Sequence, residues 1–195
     1  MKIVTVLKSG GEYLPEHVYR LQKQCEQWLP QYKFFCLSDV ILKCNTIPLT
    51  EDLPGWWSKL ELFKLSGPVL FFDLDTTIAN TCEWLDNVKN QEFVIVRDAY
   101  RGKNNPKAMQ SCIMYWSGDM SYVWNAYANE RKKFKYRGDQ DYLETVVQNA
   151  TYFQDFTNSV LSYKADIRDG QYSKEDATII YYHGKPRPWN VENDI

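Results

Sequence analysis

The chain is poor in the features that would assign it quickly. Its five cysteines (Cys25, Cys36, Cys44, Cys82 and Cys112) are odd in number and contain no Cys-x-x-Cys pair, which excludes a paired disulfide scaffold and a thiolate zinc knuckle. With 23 basic against 25 acidic residues there is no global field to recruit nucleic acid or an anionic membrane surface. Partners must therefore be selected by a local site. No apolar stretch approaches the length of a membrane span, and no internal repeat or low-complexity linker is visible. Met1 leads directly into Lys2 to Leu7, a strand-like run too short for a signal peptide, so a reducing cytoplasm is the expected compartment and Asn149-Ala150-Thr151 an irrelevant glycosylation match. Histidine is scarce, with only His17 and His183.

Aromatic residues, by contrast, are abundant at 15%, including 14 Tyr and 7 Trp. Core packing accounts for most such rings, although sugar-handling proteins also set them against apolar sugar faces. A length of 195 residues suits one compact α/β domain spanning 1–195.

Local patterning opens β-α-β. Ile3 to Leu7 reads as a strand, followed by the Lys8-Ser9-Gly10-Gly11 loop and a helix starting near Pro15, with Val18, Leu21, Cys25 and Trp28 at helical spacing. Lys33 to Leu37 is a second strand. Such units build parallel sheets whose ligands gather at strand carboxyl ends. A helix is expected over Pro54 to Leu65, and strands over 69–72, 93–96, 111–116 and 178–182. Further helices are expected over 122–128 and 140–147. The polar Asp98 to Lys107 segment has the composition of a lid. Arg131 to Lys135 is a basic run best read as a solvated face.

Asp73 and Asp75 follow the apolar run Val69 to Phe72, itself bounded by Gly67-Pro68. If strand geometry continues, residues two apart share a face, so both carboxylates point out of the strand end while Leu74 enters the core. Two like charges so close call for a cation between them, and a hard divalent ion carrying a diphosphate is the natural partner. An ordinary polar turn is the bland alternative. Near the C-terminus, His183-Gly184-Lys185-Pro186-Arg187-Pro188-Trp189 follows the last strand and sets an imidazole beside a lysine. An imidazole joining two carboxylates suits Mn²⁺ as well as Mg²⁺. His17, inside the first helix, has no partner cluster in the sequence. Asp139 opens an apolar-periodic segment and fits a helix N-cap.

Asp73-Leu74-Asp75-Thr76-Thr77 resembles both the first motif of haloacid-dehalogenase-type phosphatases and the Asp-x-Asp motif of GT-A glycosyltransferases. The order Asp73-Leu74-Asp75, Gly138-Asp139-Gln140-Asp141 and the segment from His183 to Trp189 is similar to that of glycosyltransferase family 8, the glycogenin-like and lipopolysaccharide-galactosyltransferase-like enzymes. The phosphatase motif normally follows an opening strand, whereas a full β-α-β unit precedes Asp73 here. Phosphatase chemistry on Asp73, or a non-catalytic module binding nucleotide sugars or glycans, remains the alternative.

The family 8 resemblance implies a GT-A-like, Rossmann-like α/β domain with a mixed, mostly parallel central sheet. It implies Mn²⁺ or Mg²⁺ held by Asp73, Asp75 and His183, and a nucleotide-sugar donor, with a UDP-sugar expected. Tyr13, Lys8, Lys59, Asp73, Lys164 and Lys185 would bind that donor, Lys185 through its diphosphate. Asp139 and Gln140 would contact the transferred sugar, and transfer to an unidentified acceptor would retain anomeric configuration. The Lys8-Ser9-Gly10-Gly11-Glu12 run departs from the Thr-Asn-Asp-like run usual in the family, which leaves the base open.

Overall fold

A computed structural model describes residues 1–130 and 136–191, so the basic run Arg131 to Lys135 lies outside the described residues. Strands β1 (Lys2–Leu7), β2 (Lys33–Ser38), β3 (Thr46–Pro48), β4 (Val69–Phe72), β6 (Phe93–Arg97), β7 (Met109–Trp116) and β8 (Thr151–Tyr152) form a sheet ordered β3-β2-β1-β4-β7-β6-β8. Strands β5 (Thr76–Ile78), β9 (Val160–Ser162) and β10 (Ile179–Tyr181) form a smaller sheet ordered β5-β10-β9. β1 runs parallel to β2 and β4, with Val4 opposite Phe35 on one side and Phe71 on the other. All four β4 residues are buried, as expected of a central strand covered on both faces. β7 lies antiparallel between β4 and β6, which makes the sheet mixed but mostly parallel.

Helix α1 (Pro15–Trp28) begins with Pro15 in its first turn and buries Val18, Leu21 and Cys25 against Ile3, Leu7 and Cys36. The opposite face of the sheet is covered by α3 (Ser121–Glu130), α4 (Asp139–Val146) and the segment Gly55–Lys64, around Phe71 and Trp116. Two further helices, α2 (Leu85–Val88) and α5 (Pro188–Val191), are only four residues each.

The expected helix over Pro54 to Leu65 is a 3₁₀ helix spanning Gly55–Lys64. Trp57, Leu60 and Phe63 are spaced by three and all buried, and a helix with three residues per turn stacks i and i+3 on one edge. The same geometry aligns Trp56 with Lys59 on a neighbouring edge. The other expected strands and helices lie within a few residues of their observed bounds. The short strands β3, β5, β8 and β9 are not among those expected from the sequence, because pairing rather than pattern defines them.

Candidate functional site

Asp73 stands one residue past β4, and its N–H donates to the Cys112 carbonyl over 2.8 Å, the last ladder bond on that side. The strand does not continue through Asp75. The Thr76 N–H donates back to the Asp73 carbonyl at 3.0 Å, closing a turn from which β5 departs. The two carboxylates therefore meet because the chain turns, not because strand residues alternate. Leu74 is buried as expected. Both aspartates line one cavity of about 660 Å³ at the carboxyl edge of the sheet, together with Lys8, Tyr13, Lys59, Asp139, Gln140 and His183.

Lys59 sits on the cavity floor, 2.7 Å from Asp73 Oδ2 and 3.4 Å from Asp139 Oδ2. Burial works against its charge, but Asp139 and Asp73 outweigh that and hold the ammonium protonated. Burial pushes the Asp73 carboxyl up to about 7, with Lys59 opposing and Asp75 reinforcing the rise. Asp75 is likewise raised by burial, against the pull of Arg187 and of the Tyr13 hydroxyl, which donates to its Oδ2 at 2.9 Å. Carboxylates raised in this way gain from further positive charge in the cavity.

Arg187 supplies part of that charge. Its Nη1 donates to Asp75 Oδ2, its Nη2 pairs with Glu12 Oε2 at 2.8 Å, and its guanidinium lies 5.2 Å from the centre of the Tyr13 ring. Arg187 lines the cavity, whereas Lys185 is exposed and does not line it. Arg187 belongs to the His183 to Trp189 segment, in which the sequence alone assigns a role to Lys185 and none to Arg187. Lys164 also lies off the cavity, against Gly184, whose φ of +70° is left-handed and where an added Cβ would come 3.3 Å from the Lys164 Nζ. Lys8 lines the cavity with its Nζ held between Asp39 at 3.0 Å and Asp52 at 2.9 Å.

Helix α1 joins these parts, which its sequence pattern did not disclose. Arg20 donates through Nη2 to the carbonyls of Leu74 at 2.9 Å and Thr76 at 2.8 Å, and through Nη1 to Thr77 Oγ1 at 3.2 Å. The carbonyls on either side of Asp75 are thus clamped by one guanidinium. His17, which had no partner in the sequence, stacks on Trp189 with centroids 3.7 Å apart, while its Nδ1 accepts from the Leu14 N–H at 3.0 Å.

His183 lies just past β10. Its Nε2 is 2.8 Å from Ser162 Oγ, its ring meets Tyr100 edge-on at 5.3 Å, and burial followed by the Lys164 charge lowers its pKa. Asp139 is the first helical residue of α4 and not its cap. Gly138 holds the N-cap position with no side-chain cap bond. Asp139 is 5% exposed, and its Oδ2 has no hydrogen-bond partner among the described residues, leaving the Lys59 ion pair as its anchor. The 98–107 segment is tied down through Arg101, whose guanidinium reaches Asp98 at 2.9 Å, the Met109 carbonyl at 2.7 Å and Glu144 at 2.9 Å.

Two carboxylates and an imidazole on one cavity are donors of the kind that a divalent Mg²⁺ or Mn²⁺ accepts. Their chemistry fits such an ion, and the buried negative charge around Asp73 favours it. Among the described residues, no group of three His, Cys, Asp or Glu is gathered closely enough to hold a metal. Ser162 engages His183, and Arg187 and Tyr13 engage Asp75, so those contacts would yield on binding.

No protein-family model matches the chain, and no curated protein matches it. Solved structures do. The galactosyltransferase LgtC, in complex with donor and acceptor sugar analogs, superposes with a TM-score of 0.64 at 13% identity, covering 98% of this chain and 90% of that one. The glycosyltransferase GlyE of Streptococcus pneumoniae gives 0.69 at 12% identity over 97% of this chain and 56% of that chain. A glycosyltransferase involved in glycosylation of the major capsid of PBCV-1 gives 0.61 at 12% identity and 98% of both chains. The fold is that of the GT-A-type glycosyltransferases.

Proposed function

We propose that the chain is a metal-dependent glycosyltransferase, a single catalytic domain that moves a sugar from a UDP-sugar to an acceptor with retention of anomeric configuration. The observation that carries this reading is the convergence of Asp73, Asp75, His183, Lys59, Arg187 and Asp139 on one cavity at the carboxyl edge of a GT-A-type sheet. Asp73, Asp75 and His183 are the residues that would hold Mn²⁺ or Mg²⁺. When bound, such an ion neutralises charge growing on the departing diphosphate. Arg187, rather than the exposed Lys185, is the cation placed to take a phosphate, since its planar donor fork already reaches into the cavity. Lys59 holds Asp73 and Asp139 at a defined separation, and Tyr13 and Lys8 remain the donor-side candidates for the nucleoside. Asp139, buried with an unbonded oxygen, would meet a hydroxyl of the transferred sugar, with Gln140 beside it. In the transfer the bond from the anomeric carbon to the diphosphate breaks and a bond to the acceptor oxygen forms. The acceptor proton passes to the departing diphosphate, so no separate side-chain base is required. Asp73 as a phosphatase nucleophile is the less favoured alternative, because the fold is that of glycosyltransferases.

A thermal-shift panel of nucleotide sugars with Mn²⁺ or with EDTA tests the reading, followed by assay of UDP release. Ligand at about 100 times its Kd stabilises the native state by about 2.7 kcal/mol. For a chain of this size that is a shift of about 5–10 °C. Absence of any Mn²⁺-dependent shift across the panel would overturn the metal-dependent donor, and binding without UDP release would favour a non-catalytic module.

A further inference from the structure

Trp56 lines the cavity and yet is 57% exposed, while Trp57, Trp84, Trp116 and Trp124 are each no more than 9% exposed. An indole left in water at a cavity mouth forgoes the stabilisation that burial would bring it. Its position is set from two sides. On the 3₁₀ helix it precedes Lys59 by three residues, so it stands one turn above the ammonium that holds Asp73 and Asp139. Across the cavity mouth its edge abuts the start of α4, where a Cβ added at Gly138 would lie 3.4 Å from the indole Nε1. The ring is therefore seated against Gly138, the residue before Asp139, on the cavity that Asp139 and Gln140 also line.

We infer that Trp56 is a stacking platform for a pyranose ring of the acceptor. This deepens the glycosyltransferase reading and rests on it. A molecule that attacks the transferred sugar must enter from the open side, because Asp139 on the inner side is 5% exposed. A pyranose offers an apolar face of axial C–H groups and a hydroxylated edge. The exposed indole matches the first, and the Asp141 carboxylate, which also lines the cavity, matches the second. The ring carries little of the core, so its role separates from folding.

Saturation-transfer NMR on the full chain with UDP and Mn²⁺ tests this, using methyl β-D-galactopyranoside and methyl β-D-glucopyranoside as probes and the acyclic polyol sorbitol as control. The wild type should transfer saturation to the ring protons of at least one glycoside and not to sorbitol. Trp56→Ala should raise the apparent Kd about fivefold or more, and Trp56→Phe, which keeps an aromatic face, about twofold. Equal glycoside signals in wild type and Trp56→Ala, or no glycoside signal in the wild type, would overturn the platform. Calorimetry of UDP on the same proteins keeps the two readings apart. Failure of UDP to bind the wild type strikes the nucleotide-sugar reading, whereas a glycoside failure with UDP bound strikes the platform alone.

Discussion

Trp189 stacks on His17, ring over ring at 3.7 Å and 12° from parallel. Because α5 is a single short turn, this contact and the edge-on packing of Tyr13 against Trp189 at 5.9 Å anchor the segment that carries Arg187. The C-terminal cation is thus positioned by a helix near the N-terminus. That same helix, through Arg20, holds the turn bearing Asp75.

Arg187→Ala should weaken UDP binding far more than uridine binding, because the proposed contact is to phosphate. A charge-assisted hydrogen bond is worth about 1.5–3 kcal/mol, or about 10- to 150-fold in Kd. Lys185→Ala, off the cavity, should change UDP affinity by less than about threefold. Calorimetry with both ligands decides, and the reverse ranking would return the diphosphate to Lys185.

Asp139→Asn should retain UDP affinity and lower turnover of an intact donor, read as UDP release, by about 100-fold. Gly138 occupies the cap, so the helix loses no capping bond. Wild-type turnover in the variant would reduce Asp139 to a partner of Lys59.

Arg20→Gln removes the guanidinium that spans the Leu74 and Thr76 carbonyls, while leaving every cavity-lining side chain in the sequence. Loss of such bonds costs about 1.5–3 kcal/mol, a fall in Tm of about 3–12 °C. Mn²⁺-dependent UDP affinity, measured well below the melting range, should fall with it, because the Asp75 turn is no longer clamped. Affinity equal to wild type would leave Arg20 with a stabilising role only.

The tie on the 98–107 segment should fail in acid. Burial raises the Asp98 carboxyl, but hydrogen bonds from the Arg101 and Tyr100 N–H groups and the Arg101 guanidinium prevail, and its pKa lies below 3.8. A carboxyl depressed in the folded state contributes stability above its unfolded pKa, lost as pH falls through the folded value. Hydrogen exchange, corrected for intrinsic rate, should show protected Tyr100 and Arg101 amides at pH 5 and progressive loss below pH 3.8. In Asp98→Asn the protection should already be reduced at neutral pH, and unchanged exchange there would show the segment held by other contacts.

What the sequence determined by itself lay in local pattern. The β-α-β opening was legible because Val18, Leu21 and Cys25 repeat at helical spacing, because β1 is mostly apolar and because β4 is a continuous apolar run. Asp73, Asp75 and His183 stood out because charged and ligating side chains directly follow those runs or the last strand. Tertiary structure decided the rest, since it depends on contacts between distant parts of the chain. The turn through Leu74 and Asp75 follows from β5 pairing with β10 and from Arg20, more than fifty residues upstream. The position of Arg187 on the cavity follows from Asp75 and Glu12, at 112 and 175 residues' separation. No local pattern encodes those pairings. The winding that puts Trp56 above Lys59 reflects the need to bury Trp57, Leu60 and Phe63 on one edge against the sheet, which only the packed structure imposes.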